Sequence, residues 1–385
     1  MTALLSMYDK WAASKGQITG VVLVDLSAAF DLVPPKLLIE KLKVYGVQEE
    51  VINWIQSYLT ERFQSVWIDH TFSDLLENNT GVPQGSILGP LLFLIYFNDL
   101  PVFLKEDVNC YADDSTVSSS GKDVNEIGEK LTNDCQKLTT WMTENGFKLN
   151  AEKTHLLMVG STARLRGMPE PNVLMDGVQI KVAEDDRESL LGVEIQSSLK
   201  WNLHIESLVS KLKSRLAGLD KLKSIMGRDQ KKKIFQGVFN SVLSYCLPLF
   251  GGCSKQDLGK LQILQNKAVR LVLNLPPRIS RKFMFDTVNW LTVRQLIAYH
   301  SLLTVYSVRT SRQPAYLSEL LLRDNHNGHI IVRNVQLSIY RNSFVFRGSV
   351  LWNKLPRILR DETRKEKFKM GLKSWITENV ERFED

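Results

Sequence analysis

The sequence predicts an α+β chain: an antiparallel sheet with helices on one face over residues 1–200, followed by a helical, basic region over residues 201–385. Three observations carry this. Gly20-Val21-Val22-Leu23-Val24-Asp25 is a continuous apolar run that ends in a carboxylate, the pattern of a buried strand with a polar end. Cys110-Tyr111-Ala112-Asp113-Asp114-Ser115 places two adjacent carboxylates after another strand-like approach, a poor way to build a core and a better way to hold a ligand. Beyond Trp201, leucines recur at helical spacing beside lysines and arginines.

Charge divides the chain at the same place. Residues 1–200 hold 17 Lys+Arg against 28 Asp+Glu, and residues 201–385 hold 32 against 14, so a net charge of −11 adjoins one of +18 within an overall +7. An acidic half with candidate metal ligands joined to a basic half suits an enzyme whose second part holds a polyanion; the bland alternative is a basic surface. With 385 residues, 44% of them hydrophobic, the chain can bury a sizeable core in two domains or in one domain with a large appendage. Cys110, Cys135, Cys246 and Cys253 lack CxxC spacing, which argues against a zinc site or a disulfide framework and for a reducing compartment. No signal-peptide pattern opens the chain, and the apolar run from Ile87 to Phe97 is too short to cross a bilayer, so no membrane partner is expected.

Taken in order, Leu4, Leu5, Tyr8 and Trp11 have helical spacing over residues 2–14, and Gly16 ends that helix before the first strand. Phe30 follows Asp25, and core packing is its plain reading. Pro34 and Pro35 open a helix through Leu37, Leu38, Leu42 and Tyr45 to Gly46; residues 49–60 form another with Val51, Ile52, Ile55 and Leu59 inward. Residues 64–69 and the run ending near Asn78 are short strands. Gly81, Pro83 and Gly85 make a tight loop that lets backbone approach a ligand, Ser86 can cap, and a buried helix follows. Residues 125–144 form a long amphipathic helix with Ile127, Leu131, Leu138, Trp141 and Met142 on the face toward the sheet, and residues 155–159 form a strand. Leu208, Leu212, Leu216, Leu219 and Leu222, beside Lys211, Lys213, Arg215, Lys221 and Lys223, mark an amphipathic basic helix, a pattern that also suits calmodulin or a membrane surface. Further helices are expected at residues 229–244, 258–274 and 293–308. Near the C-terminus, Phe344, Phe346 and Trp352 mix with arginines, which reads as a buried Trp-Leu cluster or as a platform for single-stranded bases.

Asp25-Leu26-Ser27-Ala28-Ala29-Phe30-Asp31, then Thr80-Gly81-Val82-Pro83-Gln84-Gly85-Ser86, then Tyr111-Ala112-Asp113-Asp114 resemble, in this order, motifs A, B and C of reverse transcriptases. Their wording is that of LINE-type (non-LTR, jockey-like) retrotransposons. Residues 146–154 resemble motif D and residues 189–195 motif E. The resemblance implies a reverse-transcriptase palm over residues 1–200, and a basic thumb with a C-terminal region over residues 201–385. Only 24 residues precede Asp25, so the fingers are expected to be largely missing and the chain to be truncated at its N-terminus, with the missing part of the polyprotein as a partner. Val33-Pro34-Pro35 departs from the family, in which a His-containing polar turn is common.

The implied activity is that of an RNA-directed DNA polymerase, a nucleotidyltransferase acting on an RNA template, a DNA primer and dNTPs. Such transfer uses two Mg²⁺ ions, with Mn²⁺ as a substitute, roughly 3.5 to 4 Å apart. By resemblance, Asp25 and Asp113 bridge the metals, Asp114 adds to one of them or to the local field, and the backbone at Leu26 completes an oxygen shell. Phe30 then reads as a gate against the ribose 2′-hydroxyl. Gln84 and Gly85 form the floor under the incoming base. Lys153 is either a proton donor to the leaving pyrophosphate or a solvated surface lysine. Lys211, Lys213, Arg215, Lys221 and Lys223 would face the product duplex. The alternative is a catalytically inactive nucleic-acid-binding remnant of such an element; an RNA polymerase or a group II intron maturase matches Phe30 and the tail less well. Nucleus or cytoplasm is the location the resemblance implies.

Overall fold

The computed structural model describes the chain except residues 15, 105–107, 151, 222–223, 326–327, 333–337 and 380–385. It is α+β, as the sequence predicts, and it divides into two compact units, Gly16–Glu188 and Met1–Lys15 with Ser189–Asp385.

The unit Gly16–Glu188 is built on a five-stranded sheet in the order Lys181–Val182, His155–Val159, Ile18–Val24, Asp114–Gly121, Val108–Tyr111. The last four are antiparallel to their neighbours, as expected. Lys181–Val182 adds a fifth, parallel edge strand, too short to leave a periodic signal in the sequence. Val21 and Val22 point to opposite faces and both are fully buried, which is why the central strand reads as an unbroken apolar run. Gly20 explains how closely a helix can approach it: a Cβ there would lie 2.6 Å from Leu131 Cδ1 and 2.9 Å from Ile127 Cγ2. Both belong to the long helix Val124–Glu144, whose buried face is the predicted one, including Leu138, Trp141 and Met142. Asp123 starts that helix by accepting the Asn125 N–H at 2.7 Å.

Helices Pro35–Val44, Glu49–Leu59 and Leu88–Phe97 belong to the same unit. Ile52, Ile55 and Leu59 are buried as predicted, but Val51 is exposed, because it sits about 100° around the helix from Ile52 and off the 52-55-59 stripe. Tyr45 is also exposed, with its hydroxyl accepting from Asn98 at 3.1 Å. The core is aromatic: Phe93 stacks on Phe97 at 5.4 Å between ring centroids and meets Phe147 edge-on at 6.3 Å, while Trp141 meets Phe97 edge-on at 5.3 Å.

In the other unit, Leu4, Leu5, Tyr8 and Trp11 are buried along helix Thr2–Ala13, as their spacing predicts. The sequence assigns that helix to the sheet-bearing domain 1–200, whereas the structure groups it with the C-terminal helices. The reason is Asp9. Its buried carboxylate accepts the backbone N–H groups of Phe344 at 3.0 Å and Val345 at 2.8 Å, at the start of helix Phe344–Asn353. Helix Asn202–Lys221 buries Leu208, Leu212, Leu216 and Leu219; Leu222 and Lys223 lie outside the described residues. The helical run expected at residues 229–244 is Arg228–Phe235, a π-helical turn Gln236–Asn240, then Ser241–Ser244. Helices Lys255–Leu273 and Val293–Ser311 follow. Trp352 is buried, with Phe368 at 6.0 Å and the Arg309 guanidinium 5.3 Å over its ring, so the Trp-Leu cluster reading holds.

Burial pushes the Asp9 carboxyl up from 3.8 to about 7, against the opposing pull of its two N–H donors and of Arg347. A carboxyl raised on folding is protonated more readily in the folded state, so this group's contribution to stability falls as pH rises from 3.8 to about 7 and is level above. Asp9→Ala strands two buried N–H groups, and chemical denaturation should show a loss of about 2–4 kcal/mol. An unchanged midpoint would mean those groups find other acceptors.

Candidate active site

The strand register does the assembling. Val24 pairs with Ser115, and Tyr111 pairs with Asp114, so Asp25 leaves the central strand beside Asp114. Asp113 lies in the turn between Val108–Tyr111 and Asp114–Gly121, where Ala112 takes a left-handed φ of 54°. Three carboxylates from two distant parts of the chain thus reach one end of the sheet. Asp114 senses the others: its pKa is raised, first by partial burial, then by the charges of Asp113 and Asp25.

The backbone of Asp25 is held from the far side by the loop before strand His155–Val159. Asn150 N–H donates to the Asp25 carbonyl at 3.1 Å, and Ser27 N–H donates to the Lys148 carbonyl at 3.2 Å. These two bonds form a bridge between Leu26 and Leu149 that leaves the Leu26 carbonyl outside it. Thr154 is fully buried; its hydroxyl accepts the Asp25 N–H at 3.4 Å and donates to the Asn150 carbonyl at 2.9 Å. Lys153 rides on this loop with its backbone N–H on the Asn150 carbonyl at 3.1 Å and its side chain exposed.

A second loop docks on the turn after Asp25. Ala28, at φ 51°, swings the chain into the short helix Ala29–Leu32. Gly81 N–H then donates to the Val33 carbonyl at 2.8 Å, and Val82 N–H to the Phe30 carbonyl at 2.9 Å. A Cβ on Gly81 would come 2.6 Å from Asp31 Cα, and its φ is 76°, so glycine is required there twice over. Gln84 Nε2 donates to Asp31 Oδ1 at 2.8 Å, and Gly85 is exposed with a φ of 80°. Ser86 caps as expected, accepting the Gly89 N–H at 2.9 Å and donating to the Pro83 carbonyl at 2.6 Å. Phe30 is half-buried and stacks on Phe93, with ring centroids 4.3 Å apart.

Sequence reasoning missed two residues that hold these loops. Thr154 left no signal, since one threonine before a strand is unremarked. Arg62 did leave one, being the sole Lys or Arg between Lys43 and Lys105. Its Nη2 donates to the carbonyls of Thr80 at 2.5 Å and Gly81 at 2.8 Å, and its Nε to that of Leu59 at 3.0 Å.

Among the described residues, no group of three His, Cys, Asp or Glu side chains converges into a self-sufficient metal cage. The donors at the sheet end are nevertheless all oxygen. Mg²⁺ is ordinarily held by one or two carboxylates, with water and substrate phosphates supplying the rest of an octahedron, so an open carboxylate set fits it. In the other unit, Lys211, Lys213, Arg215 and Lys221 all lie exposed on helix Asn202–Lys221.

The chain is 26% identical over 318 residues to a probable RNA-directed DNA polymerase from transposon BS of Drosophila melanogaster, covering 78% of this chain and 34% of that protein. It is 27% identical over 265 residues to the RNA-directed DNA polymerase from mobile element jockey of the same organism, covering 66% and 28%. It therefore spans about a third of the length of these relatives. Apo telomerase from Candida tropicalis aligns over 98% of this chain and 55% of that one at 12% identity, with a TM-score of 0.42. The family model for reverse transcriptase (RNA-dependent DNA polymerase) matches residues 3–195, which take in the Asp25 strand, the Gly81–Gly85 loop and the Asp113-Asp114 turn. On that match across half its length, the chain belongs to the reverse transcriptase family.

Proposed function

We propose that this chain carries the polymerase centre of an RNA-directed DNA polymerase from a non-LTR retrotransposon, joining dNTPs to a primer 3′-hydroxyl on an RNA template. The observation that supports this best is the delivery of Asp25, Asp113 and Asp114 to one sheet end by strand register. Bound divalent cations, Mg²⁺ above all, would supply Lewis-acid activation of the hydroxyl and neutralise the triphosphate, with Asp25, Asp113, Asp114 and the Leu26 carbonyl as their protein ligands. Gln84 is oriented by Asp31, and with Gly85 it offers a flat polar floor that a base can approach closely. Lys153, on the loop that grips Asp25, would give a proton to the leaving pyrophosphate. The cations of helix Asn202–Lys221 hold the duplex through its phosphates.

Primer extension on an RNA template with Mg²⁺ and dNTPs tests the centre. Asp113→Asn should reduce it by a thousandfold or more, about 4 kcal/mol of transition-state stabilisation, while primer-template affinity is retained. A wild-type chain that binds primer-template without extending it would instead be the nucleic-acid-binding remnant.

Phe30, held by its stack on Phe93, is the residue we assign to rejecting the ribose 2′-hydroxyl. Phe30→Val should raise ribonucleotide incorporation relative to dNTPs by about tenfold, the effect of roughly 1.4 kcal/mol in a pocket. Unchanged discrimination would leave Phe30 as a packing residue alone.

Mutual repulsion at the sheet end has a signature without metal. Because the Asp114 pKa is raised on folding, its charged form opposes folding at pH values above the shifted pKa. Asp114→Asn should therefore melt at or above the wild-type temperature in a chelator at neutral pH. A lower melting temperature would show that the carboxylate is structurally paired.

A further inference from the structure

Two basic segments outside helix Asn202–Lys221 meet at one end of helix Lys255–Leu273. Helix Arg228–Phe235 packs against that helix, as does helix Arg281–Val288, which follows it in the chain. Lys231 ties the two segments together. Its side chain is buried, and its ammonium donates to Asn274 Oδ1 at 2.9 Å, just past the end of Lys255–Leu273. Arg228, Lys232 and Lys233 flank Lys231 in one segment, and Arg278, Arg281 and Lys282 follow Asn274 in the other; Lys232 is half-buried and the other five are exposed. Counting Lys231, residues 228–233 and 274–286 hold seven cations against Asp229 and Asp286. Among the described residues, Arg228, Lys232, Lys233, Arg278 and Lys282 have no ion-pair partner.

Like charges crowd together at a cost unless a counter-charge arrives, so this patch is built to meet a polyanion. Phe283 decides which kind. It follows Lys282 directly and is 54% exposed, an apolar ring left in water within a basic patch. Cations that track a backbone beside an aromatic ring on which a base can stack are the combination that single strands use, because a duplex keeps its bases stacked on each other.

We propose that Arg228, Lys232, Lys233, Arg278 and Lys282, with Phe283 as the stacking ring, form a binding site for single-stranded nucleic acid, separate from the duplex-facing helix Asn202–Lys221. The site rests on the nucleic-acid-binding part of the proposed function and not on its chemistry, so it stands or falls independently of primer extension.

The test is fluorescence anisotropy with the whole chain, a labelled single-stranded oligonucleotide, a blunt primer-template duplex and anionic phosphatidylserine vesicles. Lys232→Ala/Lys233→Ala/Arg278→Ala should weaken single-strand binding more than tenfold. It should also flatten the log–log salt dependence by about 2, since each phosphate contact on a single strand contributes roughly 0.7. Phe283→Ala should weaken single-strand binding by about fivefold or more with the salt slope unchanged, because stacking releases no counterion. Lys211→Ala/Lys213→Ala should weaken the duplex more than the single strand. Melting temperatures within a few degrees of wild type would confirm that these surface variants fold. Unchanged single-strand affinity and slope in the triple variant would overturn the site. So would an equal loss on duplex and single strand, or binding to vesicles in place of oligonucleotide.

Discussion

The ring of Phe93 joins the pieces on which the candidate site depends. It is fully buried, it stacks on Phe30 from the turn after Asp25, it stacks on Phe97 of its own helix, and it meets Phe147 from the loop that grips Asp25. Aromatic pairs of this kind are worth about 0.5–1.5 kcal/mol each beyond the area they bury. The larger consequence is geometric. Phe93 lies on the helix that begins behind the Gly81–Gly85 loop, so one ring keeps both loops in register with the strand that ends at Asp25.

Against that rigid support the sheet end itself is under tension. Partial burial raises the Asp114 pKa, and the charges of Asp113 and Asp25 raise it further. Ala28 and Ala112 both take left-handed φ values, of 51° and 54°, which cost an L-residue roughly 1–2 kcal/mol each. Carboxylates pressed together on strained turns serve the fold poorly and a divalent cation well, since the cation converts repulsion into coordination. The buried Thr154 hydroxyl and the Arg62 clamp hold this arrangement without entering it.

The two units differ in how they use charge. The sheet unit gathers carboxylates at one end, whereas the helical unit carries exposed lysines and arginines on helix surfaces and buries Asp9, Lys231 and Trp352. Repulsion among surface cations is tolerable where water and salt screen them, so a polyanion meets them at little structural cost. The buried groups do the opposite work: Asp9 and Lys231 meet specific hydrogen-bond partners and Trp352 meets the Phe368 ring and the Arg309 guanidinium, contacts that join one helix to another.

The sequence by itself located the main elements and the residues on which the proposed chemistry rests. Apolar runs and helical spacing located Ile18–Val24, Val124–Glu144 and Asn202–Lys221, and the Asp25, Gln84-Gly85 and Asp113-Asp114 stretches were legible because each is compact and chemically unusual. Tertiary structure alone decided the pairing of Val24 with Ser115, the placement of Thr154 and Arg62, the outward turn of Val51, and the return of helix Thr2–Ala13 to Phe344 across 335 residues. The physical reason is one of range. Periodicity records which face of a single element leaves water, but a hydrogen bond or a strand register is chosen between elements, where the partner depends on how the whole core closes.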